Sequence, residues 1–209
     1  MKKLVVATRN HGKIRELEHL LQGMVESILP ISMFPDVPNV VEDGTTFTAN
    51  AIKKARFAAA ATGLPALADD SGLAVAALDG RPGVYSARFA GEHAGDAANN
   101  QKLLAELIGI TSSRRSAAFH CVLAYCLPDG SCRTFEGRLD GIILQDFQGD
   151  GGFGYDPLFL VPEYGQTLAQ LPLEIKNRIS HRGRALAGLK NYLTKCQEIR
   201  CNDGGECGT

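Results

Sequence analysis

Leu64-Pro65-Ala66-Leu67-Ala68-Asp69-Asp70-Ser71-Gly72-Leu73 puts two adjacent carboxylates between an apolar run and a glycine. The run reads as a strand over 65–69 and Ser71-Gly72 as the turn that ends it, which would set both acids in a cleft. Two like charges that close are unfavourable unless a cation or a proton lies between them, so the pair points to Mg²⁺ or Mn²⁺ acting on an anionic substrate. Asp and Ser are also ordinary capping and turn residues, and a cap is the competing reading of this tetrapeptide taken alone.

Outward from that strand, Leu4-Val5-Val6-Ala7 breaks into Thr8-Arg9-Asn10-His11-Gly12-Lys13, after which Ile14, Leu17, Leu20 and Leu21 recur at helical spacing. The order is strand, tight loop, helix. Unpaired N–H groups and the positive dipole end at such a helix start make an anion site, which Lys13 would reinforce. It follows neither the Walker nor the dinucleotide pattern, and Lys13 reads equally as a solvated helix residue. Gly151-Gly152-Phe153-Gly154-Tyr155-Asp156-Pro157 allows positive φ and close backbone approach to something flat, so that a base would stack on Phe153 or Tyr155; a loop with two core aromatics is the alternative. Lys176 precedes Ser180-His181-Arg182-Gly183, where Ser180 is a helix N-cap and two cations occupy the first turn, a position the dipole disfavours unless an anion or a ligand carbonyl meets them.

In register along the chain, Thr8-x-Asn10-x-x-Lys13, Glu42-Asp43-Gly44-x-x-Phe47-x-x-Asn50-Ala51-x-x-Lys54-Ala55, Ala68-Asp69-Asp70-Ser71-Gly72-Leu73, Pro82-Gly83-x-Tyr85-Ser86-Ala87-Arg88, Phe119-His120-Cys121, the glycine-rich segment and Ser180-His181-Arg182-Gly183 follow one another over residues 2 to 194. This series resembles the Ham1-like inosine triphosphate pyrophosphatases, which act on non-canonical purine nucleoside triphosphates. The resemblance implies an elongated mixed β-sheet with flanking helices forming two lobes around a central cleft, usually in a homodimer. It implies hydrolysis of inosine, deoxyinosine and xanthosine triphosphates to monophosphate and pyrophosphate, with Mg²⁺ (or Mn²⁺) on Glu42 and Asp70. Asp70, with Asp69, would orient or deprotonate water. Thr8, Arg9, Asn10, His11, Gly12, Lys13, Lys54 and Arg88 would grip the phosphates and Ser71 the sugar or a phosphate. The base would lie against Phe153, Gly154 and Tyr155, with Asp156, Lys176, His181 and Arg182 at its edge.

The 209 residues carry a formal charge of -1 with signs interspersed, so no basic stripe suits a nucleic-acid polymer, while free nucleotides remain partners. No segment resembles a signal peptide or a membrane span, and a cytoplasmic location is expected. The six cysteines lack zinc spacing and are expected as reduced thiols, and His120 is expected as a core histidine. Strands are predicted near 3–8, 26–32, 65–69, 116–126, 131–139 and 157–161, with a short one near 142–145. Helices are predicted near 12–22, 46–62, 96–108 and 181–196, so that the domain spans 1–195 and 196–209 is a tail without fixed structure. Two readings of other classes compete. A nucleotide-binding regulator has no need of Glu42, Asp69 and Asp70, all present; a metal or redox sensor built on Cys196, Cys201 and Cys207 needs ligand spacing that is absent. Among enzymes, pyrimidine- or modified-nucleotide pyrophosphatases are nearest, and the Phe153 and Ser180-His181-Arg182 segments stand against them.

Overall fold

The computed structural model describes residues 2–202, the side chains of 197–202 excepted. Seven strands form one mixed sheet: β1 (Lys3–Val6), β2 (Ser27–Pro30), β3 (Ala66–Val75), β4 (Ser116–Cys126), β5 (Cys132–Ile143), β6 (Phe159–Val161) and β7 (Gln166–Thr167), in the order β2-β1-β3-β4-β5-β6-β7. β1 pairs parallel with β2 and β3, and every later pairing is antiparallel. The parallel part needs crossovers, supplied by α1 (His11–Leu21) and α2 (Phe47–Thr62); the antiparallel part runs through the β4–β5 hairpin. α3 (Asp96–Glu106), α4 (Leu173–Ile179) and α5 (His181–Asn202) complete the set.

β3 is the spine, and it is twice as long as the sequence pattern suggested. Ser71-Gly72 does not turn: Ser71 pairs with Cys121 and Gly72 with His120, and the ladder continues to Val75. Gly72 is required there because a Cβ would strike the Gly83 carbonyl and the Ser86 hydroxyl. Side chains of one strand alternate between faces. Leu67 therefore joins the cluster with Leu4, Leu17 and Leu189, and Leu73 and Val75 the cluster with Phe119 and Phe159. Ala66 and Ala68 point the other way, onto α2. Asp69 and Asp70, neighbours in sequence, must face opposite sides of the sheet.

α2 begins at Thr46, whose hydroxyl accepts the Ala49 N–H, and ends at Gly63 in the left-handed conformation, so both termini are closed. Its buried face reads Asn50, Ala51, Lys54, Ala55, Ala58 and Ala59. The alanines let the helix approach β3 and β4 closely enough for Asn50 and Lys54 to reach Asp70. Ser180 caps α5 as expected, accepting the Gly183 N–H. That helix continues to Asn202, past the predicted end at 196, because nothing from Lys195 to Asn202 is glycine or proline; residues 203–209 of the expected tail lie outside the described residues. The short strand near 142–145 is the end of β5, and α4 had escaped notice because seven residues hold too few turns for a periodic signal. Cys126 and Cys132 are disulfide-bonded, which corrects the expectation of reduced thiols: the hairpin register sets them directly opposite. Among the described residues no helix is long and apolar enough to cross a membrane.

Candidate active site

Asp70 lies on the α2 side. Its Oδ1 accepts from Lys54 Nζ at 2.9 Å and its Oδ2 from Asn50 Nδ2 at 3.4 Å. Lys54 Nζ also donates to Glu42 Oε1 at 2.8 Å and to the Asp69 carbonyl at 2.8 Å, so one ammonium joins two carboxylates. Asn50 fixes the loop that brings Glu42 by accepting the Gly44 N–H and donating to its C=O. Burial lifts the Asp70 carboxyl above its ordinary value, against the partial opposition of Lys54 and Lys13. Glu42 is also pushed up by burial, but Lys54 outweighs this and holds it lower. The spare proton affinity thus belongs to Asp70, the property wanted in a general base.

In front of this pair opens a cavity of about 590 Å³ lined by Thr8, Arg9, Glu42, Lys54, Arg88 and His93, among others. Arg88 is held across the gap by donating to the Glu42 carbonyl, and Arg9 by donating to that of Val37. Glu42 and Asp70 offer only oxygen donors, and a hard cation such as Mg²⁺ is commonly held by one or two carboxylates with phosphate and water completing the shell. The donor set fits such an ion, and its charge would relieve the raised proton affinity of Asp70. Among the described residues no group of three or more His, Cys, Asp or Glu side chains is placed to hold a metal by itself.

Asp69 faces the other way and is wholly buried. Lys13 pairs with its Oδ1; Arg182 Nε donates to Oδ2 at 2.8 Å and the Cys121 thiol to the same oxygen at 3.1 Å. Burial would raise this carboxyl, yet Arg182 and Lys13 outweigh it and hold Asp69 well below the usual range, so it stays ionised as an anchor. The Cys121 thiol is pushed up by burial and by Asp69 and remains a donor. Arg182 completes its fork with Glu16 and with Ser71 Oγ at 3.0 Å. Lys176 joins Glu16 Oε1 at 2.7 Å and Asp156 Oδ2 at 2.6 Å. The two first-turn cations of α5 are thus answered by the protein's own chemistry instead of a ligand: Arg182 by two carboxylates, and His181 by burial and the Arg182 charge, which hold its ring neutral. His181 stacks on Phe119 at 4.7 Å, and its buried Nδ1 has no partner within the protein.

These groups surround a second cavity, of about 90 Å³, lined by Asn10, Lys13, Ser71, Phe153, Lys176 and Arg182 among others. Phe153 lies 5.0 Å from Lys176 Nζ and 5.6 Å from the Arg182 guanidinium, and its ring rests on Gly12, where an added Cβ would come within 2.7 Å. Gly12 therefore serves by having no side chain. Asp156 accepts the Phe153 N–H at 2.9 Å and so fixes the ring's backbone. Tyr155 is buried with its hydroxyl donating to the Ser86 carbonyl, whereas the Phe153 ring is only partly buried. Asn10 caps α1 by accepting the Lys13 N–H, and Thr8 accepts the Asn10 N–H. His11 is exposed and lines neither cavity.

Three participants had not been assigned to the site from sequence. Glu16 lies four residues after Gly12 on one face of α1, a carboxylate beside an apolar stripe, which was the available signal. Asn50 shares the polar face of α2 with Lys54, four residues on, which was its signal, and Cys121 offered none, being a single cysteine in an apolar strand.

A mixed sheet in which one strand sends Asp69 into a buried ion network behind an aromatic pocket and Asp70 to the other face, behind the Lys54 and Glu42 of a polar cleft, defines an α/β protein that handles a phosphorylated aromatic ligand. The Ham1 family model matches residues 4–192, and the chain belongs to that family. A dITP/XTP pyrophosphatase of Geobacter sulfurreducens is 60% identical over 193 residues, 92% of this chain and 97% of its own. One from Desulforamulus reducens is 57% identical, with 92% and 96% covered. The structure of a HAM1 protein from Coxiella burnetii superposes with a TM-score of 0.84 at 46% identity, covering 93% of this chain and 100% of its own.

Proposed function

We infer that the protein is a nucleoside triphosphate pyrophosphatase that converts non-canonical purine triphosphates, those of inosine, deoxyinosine and xanthosine, to monophosphate and pyrophosphate. One observation carries the mechanism: Asp70 sits behind Lys54 and Glu42, bonded to the same ammonium as Glu42, and the same strand's Asp69 anchors the cations of the aromatic pocket. The triphosphate would lie along Thr8, Arg9, Lys54 and Arg88, and the base would stack on Phe153. Asp70 takes the proton from a water that attacks the α-phosphorus; the α–β anhydride bond breaks and its electrons leave with pyrophosphate, whose charge Lys54 and Arg88 balance. Glu42 and Asp70 would hold Mg²⁺ or Mn²⁺, which when bound neutralises phosphate charge. Donors from Lys176 and Arg182 favour a 6-carbonyl on the base and leave a 6-amino group unmatched, the basis for rejecting adenine. A homodimer and a cytoplasmic location, implied by the family resemblance, belong to the same proposal; light scattering and cell fractionation test them. The reading itself is tested with a panel of nucleoside triphosphates, assayed with and without an inorganic pyrophosphatase and with Mg²⁺ or a chelator. Release of orthophosphate without the coupling enzyme, or equal rates on adenosine and inosine triphosphates, would overturn it.

A further inference from the structure

The first turn of α3 grips both halves of the site at once. Asp96 Oδ2 accepts the Gly154 N–H at 2.6 Å, and Asn100 Nδ2 donates to the Gly154 carbonyl at 2.8 Å. These two residues are four apart, on one face of the helix, and they hold both polar groups of the glycine that follows Phe153. Gly154 stands at φ +61, a conformation that other residues resist, so its peptide planes have a fixed orientation once both are bonded. Asn100 uses its Nδ2 on the Asp96 carbonyl as well, at 2.9 Å, while its buried Oδ1 is left without a partner in the protein. A buried amide that forgoes one of its own bonds contributes little to stability for itself. Between them, Asn99 turns to a different segment: its Oδ1 accepts the Ala90 N–H at 2.8 Å and its Nδ2 donates to the Ala87 carbonyl at 3.1 Å. Those bonds bracket Arg88, the arginine that crosses the cleft to the Glu42 carbonyl.

We propose that Asp96 and Asn100 are positioning residues that set Phe153 for the nucleobase, and that Asn99 is the positioning residue that sets Arg88 for the phosphates. The proposal rests on the function argued above. Neither arm touches the reacting atoms; Asp96 and Asn99 both line the smaller cavity, and what distinguishes the arms is the loop each bonds, Gly154 for Asp96 and Ala87 to Ala90 for Asn99. Asp96 marks α3 for this purpose in a second way: as an acid in the first turn it would ordinarily serve the helix dipole, but its Oδ2 is spent on a loop 58 residues away.

The experiment compares Asp96→Ala, Asp96→Asn and Asn99→Ala with the parent protein by calorimetric titration of inosine monophosphate and, separately, of pyrophosphate, together with kcat and KM for inosine triphosphate. Asp96→Ala is expected to weaken inosine monophosphate and raise KM by roughly five- to tenfold, the scale of one ordinary hydrogen bond at an exposed residue, with pyrophosphate affinity and kcat within about twofold of the parent. Asp96→Asn, which keeps an oxygen acceptor for the Gly154 N–H, should restore most of the loss. Asn99→Ala should do the reverse, weakening pyrophosphate more than the monophosphate. A variant that weakens both ligands alike, or an Asp96→Ala protein that binds both as the parent does, overturns the proposal. Failure of the parent protein to cleave inosine triphosphate would instead bring down the functional reading, and the two binding titrations would still report on the clamp.

Discussion

The two cavities divide along a single strand and are built on opposite principles. The proposed phosphate side is roomy, about 590 Å³, and Arg9, Arg88 and Glu92 on its wall reach solvent; the proposed base side is about 90 Å³ and walled by buried ion pairs. Around the base pocket Glu16, Asp69 and Asp156 face Lys13, Lys176 and Arg182, three acids against three bases, nearly all of them out of water. Such a network is expensive to dismantle and holds its donors at fixed angles, which suits recognition of a flat, neutral base. The cleft keeps Lys54 buried on Glu42 and Asp70 but leaves Arg9 exposed and Arg88 partly so, where these two can follow a flexible polyanion. Precision sits where the ligand is uncharged, and adaptable charge where the ligand carries its own.

Breaking the base-side network should have the largest effect on the fold. Asp69→Ala strands the Arg182 charge in the interior and is expected to cost about 3–5 kcal/mol of stability, read from denaturant unfolding. A loss below about 1 kcal/mol would mean that Glu16 alone satisfies the guanidinium. On the other face, Asp70→Asn should lower kcat at least ~10²-fold while the unfolding midpoint stays close to that of the parent, because this substitution removes a proton acceptor without leaving an apolar gap. Near-normal turnover would remove Asp70 from the chemistry.

Lowering the pH separates the two faces in one protein. Asp69 has a folded value below its unfolded one, so its contribution to stability is present above the ordinary 3.8 and is lost only as pH falls through the depressed value. In the metal-free protein burial raises Asp70, so it takes up its proton above 3.8, before Asp69 does. Activity is therefore expected to fall reversibly in a window where circular dichroism still reports a folded chain. Coincident loss of both signals would contradict the assignment.

Phe153→Ala should raise KM for inosine triphosphate by roughly tenfold, within the range of one base–aromatic stack, with kcat less affected. It is a cleaner probe of base binding than Arg182→Ala, which would also open the ion network. The smallest effect is expected from Gly12→Ala. Its methyl group would push the Phe153 ring aside at a cost of about 1 kcal/mol, or roughly fivefold in affinity for inosine monophosphate, with pyrophosphate binding unchanged.

The loop before α1, the cap of α5 and the succession of the longer strands and helices along the chain were legible, because each rests on local pattern. The reading of Asp69-Asp70 as one acidic site was not correct, and the reason is geometric. A glycine after the acids suggested a turn, whereas Gly72 is demanded by the backbone of Gly83 passing over the strand, a contact that no local pattern announces. Once the strand continues, alternation separates the acids. The partners of Arg182 were invisible for a related reason. They come from α1 and β3, and a sequence shows that two cations at a helix start need an anion without showing which one. The Cys126–Cys132 pairing depended on hairpin register, which follows from the tertiary ladder.

Arg182 meets Ser71, Asp69 and Glu16 across 111, 113 and 166 residues of chain. During synthesis the residues of β1 to β5 are made before the arginine, and throughout that interval Glu16 and Asp69 lack their shared counter-charge. Two carboxylates near Lys13 alone are poorly suited to burial, so this face of the sheet is expected to keep its water until α5 docks. The last long helix is therefore also the closing step, and a chain released early would carry both acids without the pocket they define.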